Sequence, residues 1–153
     1  MDVLGAIRPN EWELPLFVHL LGAMALVGSL MLAASSLAAA WRSGSMAMTK
    51  LGYRALLWAA LPAYLLMRVG AEWIGDKEGV IDDAPEWVDI GYAASDPGLL
   101  LLLIATICAG VGNRRLRKQS GSARTLDRVA LILVSISLLG YLVAVWAMTT
   151  KPA

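Results

Sequence analysis

The chain has 153 residues, 58% of them hydrophobic, and a mean hydropathy of +0.64. A soluble domain averages roughly 45–50% apolar, so the excess points to membrane spans and leaves too little chain for a separate soluble domain. The single cysteine, Cys108, excludes an intrachain disulfide and any Cys-based metal or redox pair. The net charge of +1 is a near-balance of opposite charges set in different loops, and gives no ground for a nucleic-acid partner.

The first apolar run occupies residues 14–40, with no Asp, Glu, Lys or Arg. It exceeds the roughly 20 residues needed to cross a hydrocarbon core. Asp2, Glu11 and Glu13 outweigh Arg8 before it, and the run is too long for a signal peptide, so it reads as a retained span. Pro15 suits the first helical turn and Glu13 the positive end of the helix. Trp12 and Trp41 flank the run as interface anchors. Ala25, Ser29 and Ala33 form a small-residue row of the kind that lets helices approach closely in lipid.

Ser43-Gly44-Ser45 makes a turn into a second span over 51–74, in which Pro62 predicts a kink. Arg68 and Glu72, four apart, share a face of it. Residues 75–95 form an acidic loop with Lys77 as its one base, and a short surface helix starts near Glu86. Asp96-Pro97 reads as N-cap and first residue of a third span, 97–113, with Ala105 and Ala109 as its small pair. Thr125 is the expected N-cap of a fourth span, 126–148, with Gly140 and Ala144 on its small face.

Orientation follows from charge. Arg42, Lys50 and Arg54 surround the first linker, and Arg114, Arg115, Arg117, Lys118, Arg124 and Arg128 the third. Basic residues in short loops mark the cytoplasmic side. The expected architecture is therefore an all-α, up-down bundle of four transmembrane helices. Both termini and the acidic loop are extracytoplasmic, in a bacterial plasma membrane.

Depth then groups the ionisable residues. His19, the only histidine, lies roughly 8 Å inside the outer end of the first span, and Arg68 roughly 9 Å inside that of the second, at 1.5 Å per residue. Glu72 is shallower, and Tyr141 of the fourth span approaches the same side. The inner half is expected to be apolar. An ionisable group within a span is a functional-site hypothesis by default, so His19, Arg68, Glu72 and Tyr141 form a candidate outward-facing polar pocket. The blander reading, preferred because the groups lie near the interface, pairs Arg68 with Glu72 and lets His19 bond a neighbouring helix.

A metal site is the sharper alternative. Soft metals want several His, Cys or Met ligands, and here only His19 with Met67 or Met148 can serve, for Cu(I). Haem b would need a methionine or a second copy as its other axial ligand. No cofactor is expected on the leading reading. Phosphate loops, zinc-protease motifs and nucleophile elbows are missing, so the chain does not read as an enzyme.

His19-Leu20-Leu21-Gly22-Ala23, followed by Val27-Gly28, resembles the first-span signature of small bacterial membrane proteins related to the copper-resistance D family. The resemblance singles out His19, Gly22 and Gly28 and implies copper handling as an expectation. The further histidines such a role would draw on are missing. The leading expectation is a scaffold or accessory subunit whose partners are the bilayer and a membrane protein or a second copy. A copper or haem protein built on His19 is the runner-up.

Overall fold

The structure is a computed structural model and describes residues 13–78, 86–117 and 123–150. It is helical almost throughout. Helix α1 is Glu13–Ser43 and α2 is Met46–Ala55. A wider π turn, Leu56–Ala60, leads without a break into α3, Leu61–Glu78. Helix α4 is Glu86–Arg117 and α5 is Ala123–Thr150. Four helices, with α2 and α3 counted as one, are long and apolar enough to cross a membrane. Only 28% of the most apolar stretch of α1, and the same share of α5, is buried within the bundle. Phe17, Met24, Trp58, Leu100, Ile107, Leu139 and Trp146 are among the large apolar side chains left facing outward. An outer surface of this kind suits lipid and not water.

Each helix lies antiparallel to its neighbours. Helix α1 packs on α3 and α5, and α4 packs on α5 and α2. The tightest crossing is between α1 and α3. A Cβ added at Gly22 would overlap the backbone of Met67, and one added at Gly70 would fall 2.5 Å from the His19 backbone nitrogen. The backbones touch there because neither glycine holds them apart, which is how helices gain contact in lipid. Lower down, Gly52 of α2 seats the Leu37 side chain.

Helices α4 and α5 fit by a different pattern. Gly91, Gly98, Ala105 and Gly112 recur every seventh residue on α4 and are all buried. Met148, Tyr141, Val134 and Asp127 recur every seventh residue on α5 in the opposite sense. Met148 meets Gly91 and Tyr141 meets Gly98. Continued by seven-residue steps, the same register pairs position 105 with Val134 and position 112 with Asp127. Small residues on one helix thus receive large ones from the other, as knobs enter holes in a coiled coil. Leu26, Leu30, Leu37, Leu56, Leu102 and Val134 are fully buried between the four spans.

Two proline positions differ from one another. Pro62 follows the π turn, in which the Leu61 N–H reaches back five residues to the Leu56 carbonyl. That widened turn makes room for a ring that otherwise clashes one turn back. Pro97 corrects the expectation of a helix start. Helix α4 runs through it from Glu86, so the residues from Glu86 onward and the third span form one continuous helix. Asp96 is not an N-cap but a residue within the helix, and its side chain is turned to another use. Helix α5 likewise begins at Ala123, before Thr125. The first turn is as expected. Gly44 takes φ +68°, its N–H donates to the Ala40 carbonyl at 2.7 Å, and the chain reverses into α2. Trp12, Asp82, Asp83 and Lys118 lie outside the described residues.

The hydroxyls in the spans are satisfied locally. Ser29, Ser36, Thr106 and Ser137 each donate to a carbonyl three or four residues back, which removes their polarity from the apolar environment.

Gly22→Val or Gly70→Val should force α1 and α3 apart and lower stability by about 3 kcal/mol. Nothing lies within 4 Å of a Cβ at Gly28, so Gly28→Ala should change stability by less than about 0.5 kcal/mol. Reversible unfolding in mixed micelles of rising SDS content checks the contrast.

Candidate functional site

Polar side chains gather at both ends of the bundle. At the end that holds the start of α1 and the end of α5, Arg68 of α3 is the centre. Its guanidinium is a planar fork that serves two acceptors at once. One arm bonds Glu72 Oε1 at 2.9 Å, one turn along the same helix. The other bonds Asp96 Oδ1 of α4 at 2.9 Å and reaches Ser95 Oγ at 3.4 Å. The Tyr92 ring lies 4.6 Å from the guanidinium carbon, close enough for a cation–π contact. Tyr64 of α3, buried, reaches Ser95 with its hydroxyl at 3.4 Å. Helices α3 and α4 make little contact apart from this cluster. The cluster is therefore what holds α4 to the second span where α4 passes Pro97.

His19 stands apart from it. Its ring is half-buried, and Nδ1 is 2.9 Å from the Met67 carbonyl oxygen of α3. A carbonyl can only accept, so Nδ1 carries the proton and donates. That fixes the neutral ring's tautomer and leaves the Nε2 lone pair free to accept or to ligate.

Of the sequence-derived pocket, the structure brings Arg68 and Glu72 into contact, and His19 bonds the residue just before Arg68. Tyr141 is buried with its hydroxyl against Gly98, and that hydroxyl has no hydrogen-bond partner among the described residues. Met67 is buried beside the α1–α3 crossing, whereas the Met148 methyl packs at Gly91 on α4. Among the described residues no three His, Cys, Asp or Glu side chains come together as a metal would require. Of the small residues singled out, Ser29, Ala33, Ala105, Ala109 and Ala144 are buried, Ala25 is exposed, and Gly140 has open space where a Cβ would stand.

The opposite, basic end corrects an expectation. It is not wholly apolar within. Asp127 of α5 is 2% exposed, and its Oδ2 accepts the hydroxyl hydrogen of Thr49 of α2 at 2.9 Å. Thr49 is itself fully buried. Just outside, the Arg128 guanidinium lies 5.6 Å from the centre of the Trp41 ring of α1. Asp127 sits one residue inside the expected start of its span, next to the basic residues of the linker. The signal that reveals it is the seven-residue series with Val134, Tyr141 and Met148, which places it on the buried face.

The two polar links should differ in weight. Glu72 and Asp96 are well exposed, and an ion pair in such surroundings contributes about 1 kcal/mol at most. Arg68→Met should therefore cost about 1 kcal/mol. Thr49→Val removes the one donor to a buried carboxylate and should cost about 2 kcal/mol. SDS-titration midpoints for the two variants check the ranking. The comparisons with protein-family models, with curated proteins and with solved structures found no match to the chain, so the roles of these residues rest on their chemistry alone.

Proposed function

We propose that the chain is a small scaffold or accessory subunit of an assembly in a bacterial plasma membrane, with both termini outside. The observation that carries this reading is the use of the polar groups at the terminal end. Arg68 is neutralised by Glu72 and Asp96, and His19 is bonded to the Met67 backbone. The Asp96 and Met67 contacts join helix to helix, which is what a scaffold asks of them. A surface for a further helix is also present. On α1, Ala25, Gly28, Ser35 and Ala39 are exposed, and Gly28 has open space around it. Exposed small residues in a span are where another membrane helix packs closely.

The runner-up is a copper or haem protein, and one observation favours it. The Met67 bond leaves His19 Nε2 as a potential ligand with its orientation fixed, the arrangement in which a histidine holds a metal. The resemblance of the first span to copper-resistance D relatives points the same way. A haem would draw its second axial ligand from a methionine or from a second copy.

The readings separate on purification in mild detergent. The scaffold reading expects an assembly that survives His19→Ala and dissociates with Gly28→Leu. Stoichiometric copper or a Soret band, lost in His19→Ala, would replace it with the runner-up. Orientation is tested in a Cys108→Ala background with single cysteines at Ser45 and Asp76. An impermeant thiol reagent added to intact cells should label position 76 and spare position 45, and the reverse result overturns the orientation.

A further inference from the structure

The bundle buries one carboxylate whose hydrogen bonding is half complete. Asp127 is 2% exposed and its Oδ2 takes the Thr49 hydroxyl. Its Oδ1 is buried and has no partner. A carboxylate has about four lone-pair positions to fill, and a bare oxygen of this kind in a low-dielectric interior is costly.

A second orphaned acceptor belongs to the last turns of α4. Asn113 Oδ1 of α4 is also buried without a donor. The register of Gly91 with Met148 and Gly98 with Tyr141, continued two further seven-residue steps, pairs position 112 with position 127, and Asn113 follows Gly112 in the chain. Helices α4 and α5 thus each bring to the basic end an oxygen that lacks a donor, an amide oxygen and a carboxylate oxygen, and Thr49 of α2 already bonds the carboxylate.

The neighbouring side chains do not supply the missing donor. The charged and titratable groups toward this end are Arg42 of α1, Lys50, Tyr53 and Arg54 of α2, Arg114, Arg115 and Arg117 of α4, and Arg124 and Arg128 of α5. The arginines are exposed, Arg128 lies over Trp41, and Tyr53 packs on Gly110. None of them is hydrogen-bonded to Asp127 Oδ1.

We propose that Asp127, with Asn113 and the Thr49 hydroxyl, binds one small monovalent cation, an alkali ion or a proton, between α2, α4 and α5 at the basic end of the bundle. The chemistry is that of hard oxygen donors around a single positive charge. The Thr49 bond holds the carboxylate in place and leaves Oδ1 to take the ion. Because Thr49 and Asp127 join the first pair of spans to the second, occupancy is linked to the stability of the whole bundle.

The test uses the full chain in detergent micelles, with melting followed by tryptophan fluorescence. In one arm NaCl, KCl or LiCl replaces choline chloride at constant ionic strength and pH. In the other arm pH varies with choline as the sole salt cation. The quantity read is the difference between wild type and Asp127→Asn, which keeps the shape and removes the charge, so other titrating groups cancel. Wild type should gain about 3 °C per tenfold rise in the bound ion beyond half-saturation, and Asp127→Asn should stay flat. A rise with one alkali ion assigns the site to that ion. A rise only as pH falls assigns it to a proton. Wild type no more responsive than Asp127→Asn in either arm overturns the proposal. If Asp127→Asn does not fold, Asn113→Ala should keep its helical content and shift the half-saturating concentration by about fivefold. An unshifted response in that variant also overturns the site.

Discussion

Lipid tails are as apolar as leucine, so burying leucine between membrane helices yields little. What the helices of this bundle gain from one another is contact at close range, and close range depends on having nothing between the backbones. Gly22 and Gly70 supply that condition at the α1–α3 crossing, where either Cβ would run into the opposing main chain. The bond from His19 to the Met67 carbonyl becomes possible only because the two helices are this near. The histidine is therefore a result of the crossing before it is anything else.

The bundle divides into two hairpins, α1 with α2 and α3, and α4 with α5. Each closes on itself by steric fit. Backbone meets backbone in the first, and large side chains enter the gaps left by Gly91 and Gly98 in the second. Between the hairpins, polar contacts stand at the two ends. Arg68 reaches Asp96 at one end, and Thr49 reaches Asp127 at the other. Packing sets which helices are neighbours, and polar bonds set how far one hairpin slides or turns against the other. A hydrogen bond in an apolar medium suits that task because it weakens steeply as its geometry is lost.

Much of this was legible in the sequence. Four apolar runs with polar linkers announced four helices long and apolar enough to cross a membrane, and the four-residue spacing of Arg68 and Glu72 announced their ion pair. What could not be read were relations between helices. Gly70 looks like any glycine in a span until α1 is laid against it. Asp96 and Pro97 read as a helix start because Asp-Pro is a common one, and the continuity of α4 through Pro97 is a tertiary override of that local preference. Asp127 lay too close to the basic linker to stand out, although its seven-residue phase with Val134 and Tyr141 was present in the sequence. Gly140 shows the opposite error of inference, since a small residue in a span need not face a neighbour in the same chain.

The pairing scheme also bears on how the chain is made. Spans enter a membrane in order of synthesis, and the first hairpin is complete before the second emerges. Arg68 then has Glu72 beside it on its own helix, so its charge is already balanced while Asp96 is still to come. Asp127 has no such companion on α5 and meets its hydroxyl only when the second hairpin docks on the first. One end of the molecule is electrically settled from the outset. The other keeps its carboxylate without a protein donor until the hairpins join, and even then only one of its two oxygens is bonded.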